Sequence, residues 1–128
     1  MRLLLDTHTL IWWMTDDAHL PASTRFLIEQ EENASVVSAA SAWEIATKFR
    51  LGRLPAVAGL VQDFVAELMR VRIEVLAISA DHAIRAGSLS GPHRDPFDRM
   101  LIAQSQMEGL VLVSNDTALD GYDVRRIW

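Results

Sequence analysis

The chain contains no cysteine. That excludes disulfides and thiolate metal sites, and it suits a reducing cytoplasm. No apolar run approaches the roughly 20 residues that a membrane-spanning helix needs, so no membrane partner is expected. Met1-Arg2 leads straight into an apolar run, so no charged, then apolar, then cleavable leader is expected. The four histidines, His8, His19, His82 and His93, show no zinc-binding spacing. There is no G-x-G-x-x-G turn, no P-loop and no G-x-S-x-G elbow. Basic excess is missing too: the formal charge is −5, whereas nucleic-acid binders are usually basic.

What is there suits one domain over residues 1–128. Half of the residues are apolar, and a chain of this size can bury roughly 65–70% of its unfolded surface. Short apolar runs predict strands at Leu3–Asp6, Ser35–Ser38, Glu74–Ile78, Leu110–Ser114 and Val124–Ile127. Helices are expected between them. Thr7 or Thr9 can cap a first helix reaching Met14, and a second covers Thr24–Glu32. In Ser41–Leu51, Ala42, Ile45, Ala46 and Phe49 make one apolar stripe. Trp43 and Leu51 lie off it, which predicts burial on more than one side, and Gly52 and Pro55 mark its end. A long amphipathic helix is expected over Val57–Val71, and another from Ser79 or Asp81 to Ser88. Asp95-Pro96 reads as an N-cap with proline at the first helical position, opening a helix that Gly109 closes. The alternation points to an α/β fold with a mostly parallel sheet covered on both faces. Sites in such folds form at the carboxyl ends of the strands.

Asp6 and Asp116 fall at strand ends. Glu44 and Asp98 fall in first helical turns. Each has a plain structural reading. Asp6 can cap a helix. Glu44 completes the capping-box form Ser41-Ala42-Trp43-Glu44 and stands i, i+4 to Lys48. Asp98 complements a helix dipole, and Asp116 follows Ser114-Asn115 in a turn. Together, however, all four can converge on one sheet edge. Convergent carboxylates repel and need a counter-charge. Mg²⁺ or Mn²⁺, which prefers oxygen ligands, supplies it, and such ions promote phosphodiester hydrolysis singly or in pairs about 4 Å apart. The hydroxyls of Thr7, Ser38 and Ser114 and the Asn115 amide are candidate supporting donors to bound water or phosphate.

Setting these four acids aside leaves the remainder of the chain at −1. Lys48, Arg50, Arg53, Arg94 and Arg99 are then available to hold a nucleic-acid backbone, with Arg99, directly after Asp98, the foremost. Trp12, Trp13 and Trp43 read as core or subunit-interface residues.

Four stretches, DTHTLIWW at 6–13, SAASAWEIATK at 38–48, HRDPFDRMLIAQ at 93–104 and SND at 114–116, resemble the PIN-domain ribonucleases, and within them the VapC toxins of type II toxin–antitoxin systems. The resemblance implies a three-layer α/β/α sandwich around a parallel sheet and Mg²⁺- or Mn²⁺-dependent RNA cleavage. It places the acidic quartet of the family on Asp6, Glu44, Asp98 and Asp116, and its supporting hydroxyl on Ser114. It also implies a VapB-type antitoxin whose tail occupies the acidic groove, and a homodimer. One competing reading is a PIN-like module that binds RNA or antitoxin without turnover. Another is a phosphatase of the haloacid-dehalogenase type, which requires a second Asp where this chain has His8.

Overall fold

The computed structural model describes residues 1–54, 57–93 and 95–128. Pro55 and Arg94, which carried expectations above, lie outside the described residues. Five strands form one all-parallel sheet: β1 Arg2–Leu5, β2 Ala34–Ser38, β3 Glu74–Leu76, β4 Val111–Val113 and β5 Arg126–Ile127. Their order is β3-β2-β1-β4-β5. Seven α-helices stand among the described residues: α1 Thr7–Met14, α2 Ala22–Glu29, α3 Ala39–Arg50, α4 Ala58–Gln62, α5 Phe64–Arg70, α6 Ala80–Ser88 and α7 Pro96–Glu108.

Side chains along a strand alternate between the two faces of a sheet. Here both sets are apolar. Leu3, Leu5, Val37, Val111 and Val113 face one core, shared with Leu10, Ile28, Ile45, Leu60 and Leu68 of α1 to α5. Leu4, Val36 and Leu112 face another, shared with Leu101 and Ile102 of α7. The result is the expected α/β/α layering, with the short strands buried between two helical layers.

Register then positions the site. Leu5 pairs with Val37 on one side and with Val113 on the other. The residues that follow, Asp6, Ser38 and Ser114, therefore leave the sheet side by side at its carboxyl edge. β1 and β4 flank the point where the strand order reverses, the usual crevice for a site in an open α/β sheet.

Several local expectations change. Asp6 itself caps α1, accepting from Thr9 N–H at 2.8 Å, so neither threonine is the cap. α3 starts at Ala39 behind the cap Ser38, which puts Glu44 in its second turn and removes the capping box at Ser41. The long helix over 57–71 is two helices, because Asp63 breaks the backbone pattern and its side chain accepts from Ala66 N–H. Trp43 and Leu51 are exposed rather than buried. The α7 expectations hold: Asp95 is its N-cap, Pro96 its first residue, and Gly109 ends it with a left-handed φ of 64°.

Candidate metal centre

The carboxyl edge opens into a pocket of about 420 Å³ lined by Asp6, Thr7, His8, Glu44, Lys48, Asp95, Asp98, Asn115 and Asp116. The four acids singled out in the sequence all reach it. A larger cavity of about 680 Å³ lies elsewhere, against Trp13, Glu29, Ser35 and Arg72. The metal-ligand chemistry is in the smaller one. Among the described residues, the only group of three or more His, Asp or Glu ligand atoms mutually within 4.8 Å is His93, Asp98 and Asp116.

Three of the pocket aspartates are helix caps, and each does this with one oxygen. Oδ1 of Asp6 takes the Thr9 amide. Oδ1 of Asp95 takes the Phe97 and Asp98 amides. Oδ1 of Asp116 takes the Ala118 amide of the 3₁₀ turn Thr117–Gly121. A carboxylate has two acceptor oxygens, so capping aims the group and leaves the second oxygen for a ligand.

Glu44 is built differently. It is 7% exposed, and both its oxygens are engaged. The Thr7 hydroxyl donates to Oε1 at 2.5 Å, and Lys48 Nζ donates to Oε2 at 2.7 Å. The Thr7 hydroxyl also lies 3.0 Å from Ser41 Oγ. The strand β1 edge and helix α3 are thus tied together through a charged, nearly buried group.

Burial pushes the Asp98 carboxyl up to about 7; the charges of Asp95, Glu44 and Asp116 add to this, and His93 opposes it. The pocket lining itself carries five acids, Asp6, Glu44, Asp95, Asp98 and Asp116, against one lysine, Lys48. Its donors are oxygens apart from imidazole. Both facts fit a hard divalent cation such as Mg²⁺ or Mn²⁺.

The remaining expected residues divide. Asn115 is exposed at the pocket wall. Ser38 and Ser114 are fully buried and do not line it. Ser38 Oγ accepts from Ala40 N–H, and Ser114 Oγ accepts from Asp116 N–H, so they hold the backbone that carries the acids. Arg99 does not reach the pocket for an RNA contact. Its guanidinium donates to the carbonyls of Ala86 and His93 at 3.0 Å each, and to that of Leu89, and this fastens the loop before α7.

His93 is the residue that sequence reasoning missed. Its Nε2 lies 3.0 Å from Asp98 Oδ2 and 3.6 Å from Asp116 Oδ2. A search for paired histidines overlooks a single imidazole whose partners are two carboxylates, one of them on another strand-to-helix turn. Its place within the HRDPFDR stretch, five residues before Asp98, was the available signal.

Comparison with known proteins agrees with this architecture. Over 60 residues the chain is 42% identical to Ribonuclease VapC16 of Mycobacterium tuberculosis, a match spanning 47% of this chain and 41% of that protein. The match thus spans less than half the length of this curated relative. Among solved structures, the fold resembles a chain of VapBC2 from Rickettsia felis bound to a DNA fragment from their promoter. That likeness has a TM-score of 0.71 at 15% identity, covering 99% of this chain and 98% of the other. VapBC-1 from nontypeable Haemophilus influenzae gives a TM-score of 0.66 at 16% identity, with 99% and 97% covered. At these identities the likeness is one of fold. The family model described as PIN domain matches residues 3–124, and on that match this chain belongs to the PIN domain family.

Proposed function

We propose that this chain is a single PIN domain that hydrolyses RNA phosphodiesters with Mg²⁺ or Mn²⁺, as the toxin of a VapBC-type pair. The observation that carries the reading is the convergence of Asp6, Glu44, Asp98 and Asp116 on one pocket at the carboxyl edge of the sheet. The 42% identity to a protein named as a ribonuclease supports the substrate class. The VapBC complexes that share the fold support an antitoxin partner.

In this reading Asp6, Asp98 and Asp116 hold the ion directly or through water, and Glu44 acts from its fixed position on α3. A bound Mg²⁺ or Mn²⁺ supplies an acidified water at neutral pH and charge stabilisation for the leaving oxygen. The capping bonds restrict Asp6 and Asp116 to one orientation, so little reorganisation is required when substrate arrives. Lys48, held by Glu44 at the pocket wall, has two further N–H donors to offer a phosphate. Asn115 offers an exposed amide beside it. The products carry a 5′ phosphate and a 3′ hydroxyl.

The partner surface has its own support. Trp43 is 64% exposed on α3, and its ring meets that of Phe97 edge-on at 4.9 Å. A large exposed aromatic on the wall of an apolar cavity, shared with Ile78, Phe97 and Met100, favours contact with another chain, either a second subunit or an antitoxin segment. No helix among the described residues is long and apolar enough to cross a membrane, and we place the protein in the cytoplasm.

The test is cleavage of defined RNAs with Mn²⁺ or Mg²⁺ and then with chelator, for the wild type, Asp6→Asn and Asp98→Asn. Loss of cleavage in chelator and in both variants is expected. Undiminished cleavage by the variants, or products ending in a 2′,3′-cyclic phosphate, removes the proposal.

A further inference from the structure

We propose that His93 is a direct nitrogen ligand to the divalent ion, so that the site binds Mn²⁺ in preference to Mg²⁺. This rests on the metal-site reading above and adds a residue outside the acidic quartet.

Three observations carry it. First, the Asp98–Asp116 pair closes around His93: the ligand atoms of these three residues all lie within 4.8 Å of one another. Asp6 and Glu44 line the acidic pocket without joining this group, and His93 lines the adjoining cavity, which shares Asp95 and Asp116 with that pocket. Second, Nε2 of His93 is buried and makes no hydrogen bond, although Asp98 Oδ2 is only 3.0 Å away. Distance is satisfied and angle is not. A buried ring nitrogen left unpaired needs a partner, and an ion placed between the three groups is one. Adjacent ligands of an octahedral ion with bonds of about 2.1 Å are separated by about 3.0 Å. The His93–Asp98 separation of 3.0 Å is compatible with that spacing as well as with a plain ion pair, and the 3.6 Å to Asp116 Oδ2 is wider.

Third, the loop is built to hold the ring in place. The His93 amide donates to Tyr122 Oη at 3.1 Å, and its carbonyl accepts from Arg99 Nη1 at 3.0 Å. Gly91 lets the loop come this close. A Cβ there would stand 2.7 Å from Tyr122 Oη, and its φ of 122° disfavours any other residue. Both main-chain polar groups of His93 are thus tied to fixed elements while its side chain points at two carboxylates. The metal preference is a relative one: both ions are hard and take carboxylate oxygens, but Mn²⁺, a first-row transition ion, accepts an imidazole nitrogen beside them more readily than Mg²⁺, which keeps its waters.

The experiment uses the full chain with MnCl₂ or MgCl₂ and no RNA. Pulsed EPR of the Mn²⁺-loaded wild type should show coupling to a histidine nitrogen, and His93→Gln should lose it. Calorimetric titration should give Mn²⁺ binding weakened about tenfold or more in His93→Gln, in the range for altered metal sites, with Mg²⁺ binding changed less than about threefold. Circular dichroism in chelator checks that the variant is folded, and the wild-type nitrogen coupling stands without any variant. Absence of nitrogen coupling in the wild type, or equal change for both ions, overturns the proposal while leaving the acidic site intact. If the wild type binds neither ion, or if Asp98→Asn binds as the wild type does, the metal-site reading itself fails.

Discussion

The Thr7 hydroxyl donates a 2.5 Å hydrogen bond to Glu44 Oε1. Both residues are buried, Thr7 at 3% exposure and Glu44 at 7%. One residue starts α1 and the other sits in the second turn of α3. The bond ties the start of α1 to α3 and, with Lys48 on the other oxygen, aims the carboxylate. Losing it leaves a nearly buried charge with Lys48 as its remaining partner.

Thr7→Val keeps the shape and removes the donor. We expect a loss of about 1.5–3 kcal/mol, the usual range for a hydrogen bond to a charged group. Urea unfolding measures it as a lower midpoint at unchanged slope. Thr7→Ser, which restores the hydroxyl, should recover most of the loss. A Val variant as stable as the wild type would show that the bond contributes nothing.

Asp6 caps α1, and the proposed function gives it a second task, holding the ion. Asn caps a helix as well as Asp does, but it offers a metal no charge. Asp6→Asn should thus unfold within about 0.5 kcal/mol of the wild type in chelator, yet lose most of its stabilisation by added Mn²⁺. For the wild type that stabilisation is about 2.7 kcal/mol at a hundred times Kd. Asp6→Ala should in addition lose about 0.5–2 kcal/mol in chelator, through the missing cap. Equal behaviour of the two variants in chelator would contradict the division of labour between the carboxylate oxygens.

Asp98 sets a pH dependence. Burial first, and then neighbouring acids, raise its folded-state pKa from 3.8 to about 7. Between these values the folded protein retains a proton that the unfolded chain has released, so its contribution favours folding less and less as pH rises. It is fully present below 3.8 and gone above about 7. In chelator, Asp98→Asn should therefore gain on the wild type across this window. At pH 7.5 the gain should reach about 1–2 kcal/mol, reduced by solvent screening because a quarter of the side chain is exposed. Urea midpoints of both proteins at pH 4, 5.5 and 7.5 test this. A difference that is constant with pH, or that shrinks, counts against it.

Arg99 is bound to three carbonyls, and this predicts a structural phenotype. Arg99→Gln should lower stability by about 2–3 kcal/mol through unpaired carbonyls. On an Asp98→Asn background, where the proposed function expects RNA to be bound without being cut, it should leave the salt dependence of RNA binding unchanged. Removing a true phosphate contact would reduce the log–log slope by about 0.7 on single-stranded RNA. A drop of that size would restore Arg99 to the RNA interface.

Much of this was legible in the sequence because it depends on local pattern. Alternating strands and helices, the Asp95-Pro96 start of α7 and its Gly109 end need only short-range sterics and hydrogen bonding. The placement of Asp6, Glu44, Asp98 and Asp116 on one sheet edge also follows, since a parallel topology puts strand ends and helix starts on the same side. The break at Asp63 was not legible: the apolar period continues through it, and the decision was made by one side chain competing for a backbone amide. The exposure of Trp43 was not legible either, because apolar character alone does not say whether a neighbouring element covers it.

By itself, then, the sequence determined the α/β layering and the set of acids that share an edge, through periodicity, caps and strand-end position. Tertiary structure decided which of those acids line one pocket, that Glu44 is held by Thr7 as well as by Lys48, that Arg99 ties down a loop, and that His93 lies against Asp98 and Asp116. Each of these depends on distances between residues far apart in the chain. Such distances are set by strand register and helix packing, and no spacing along the sequence encodes them.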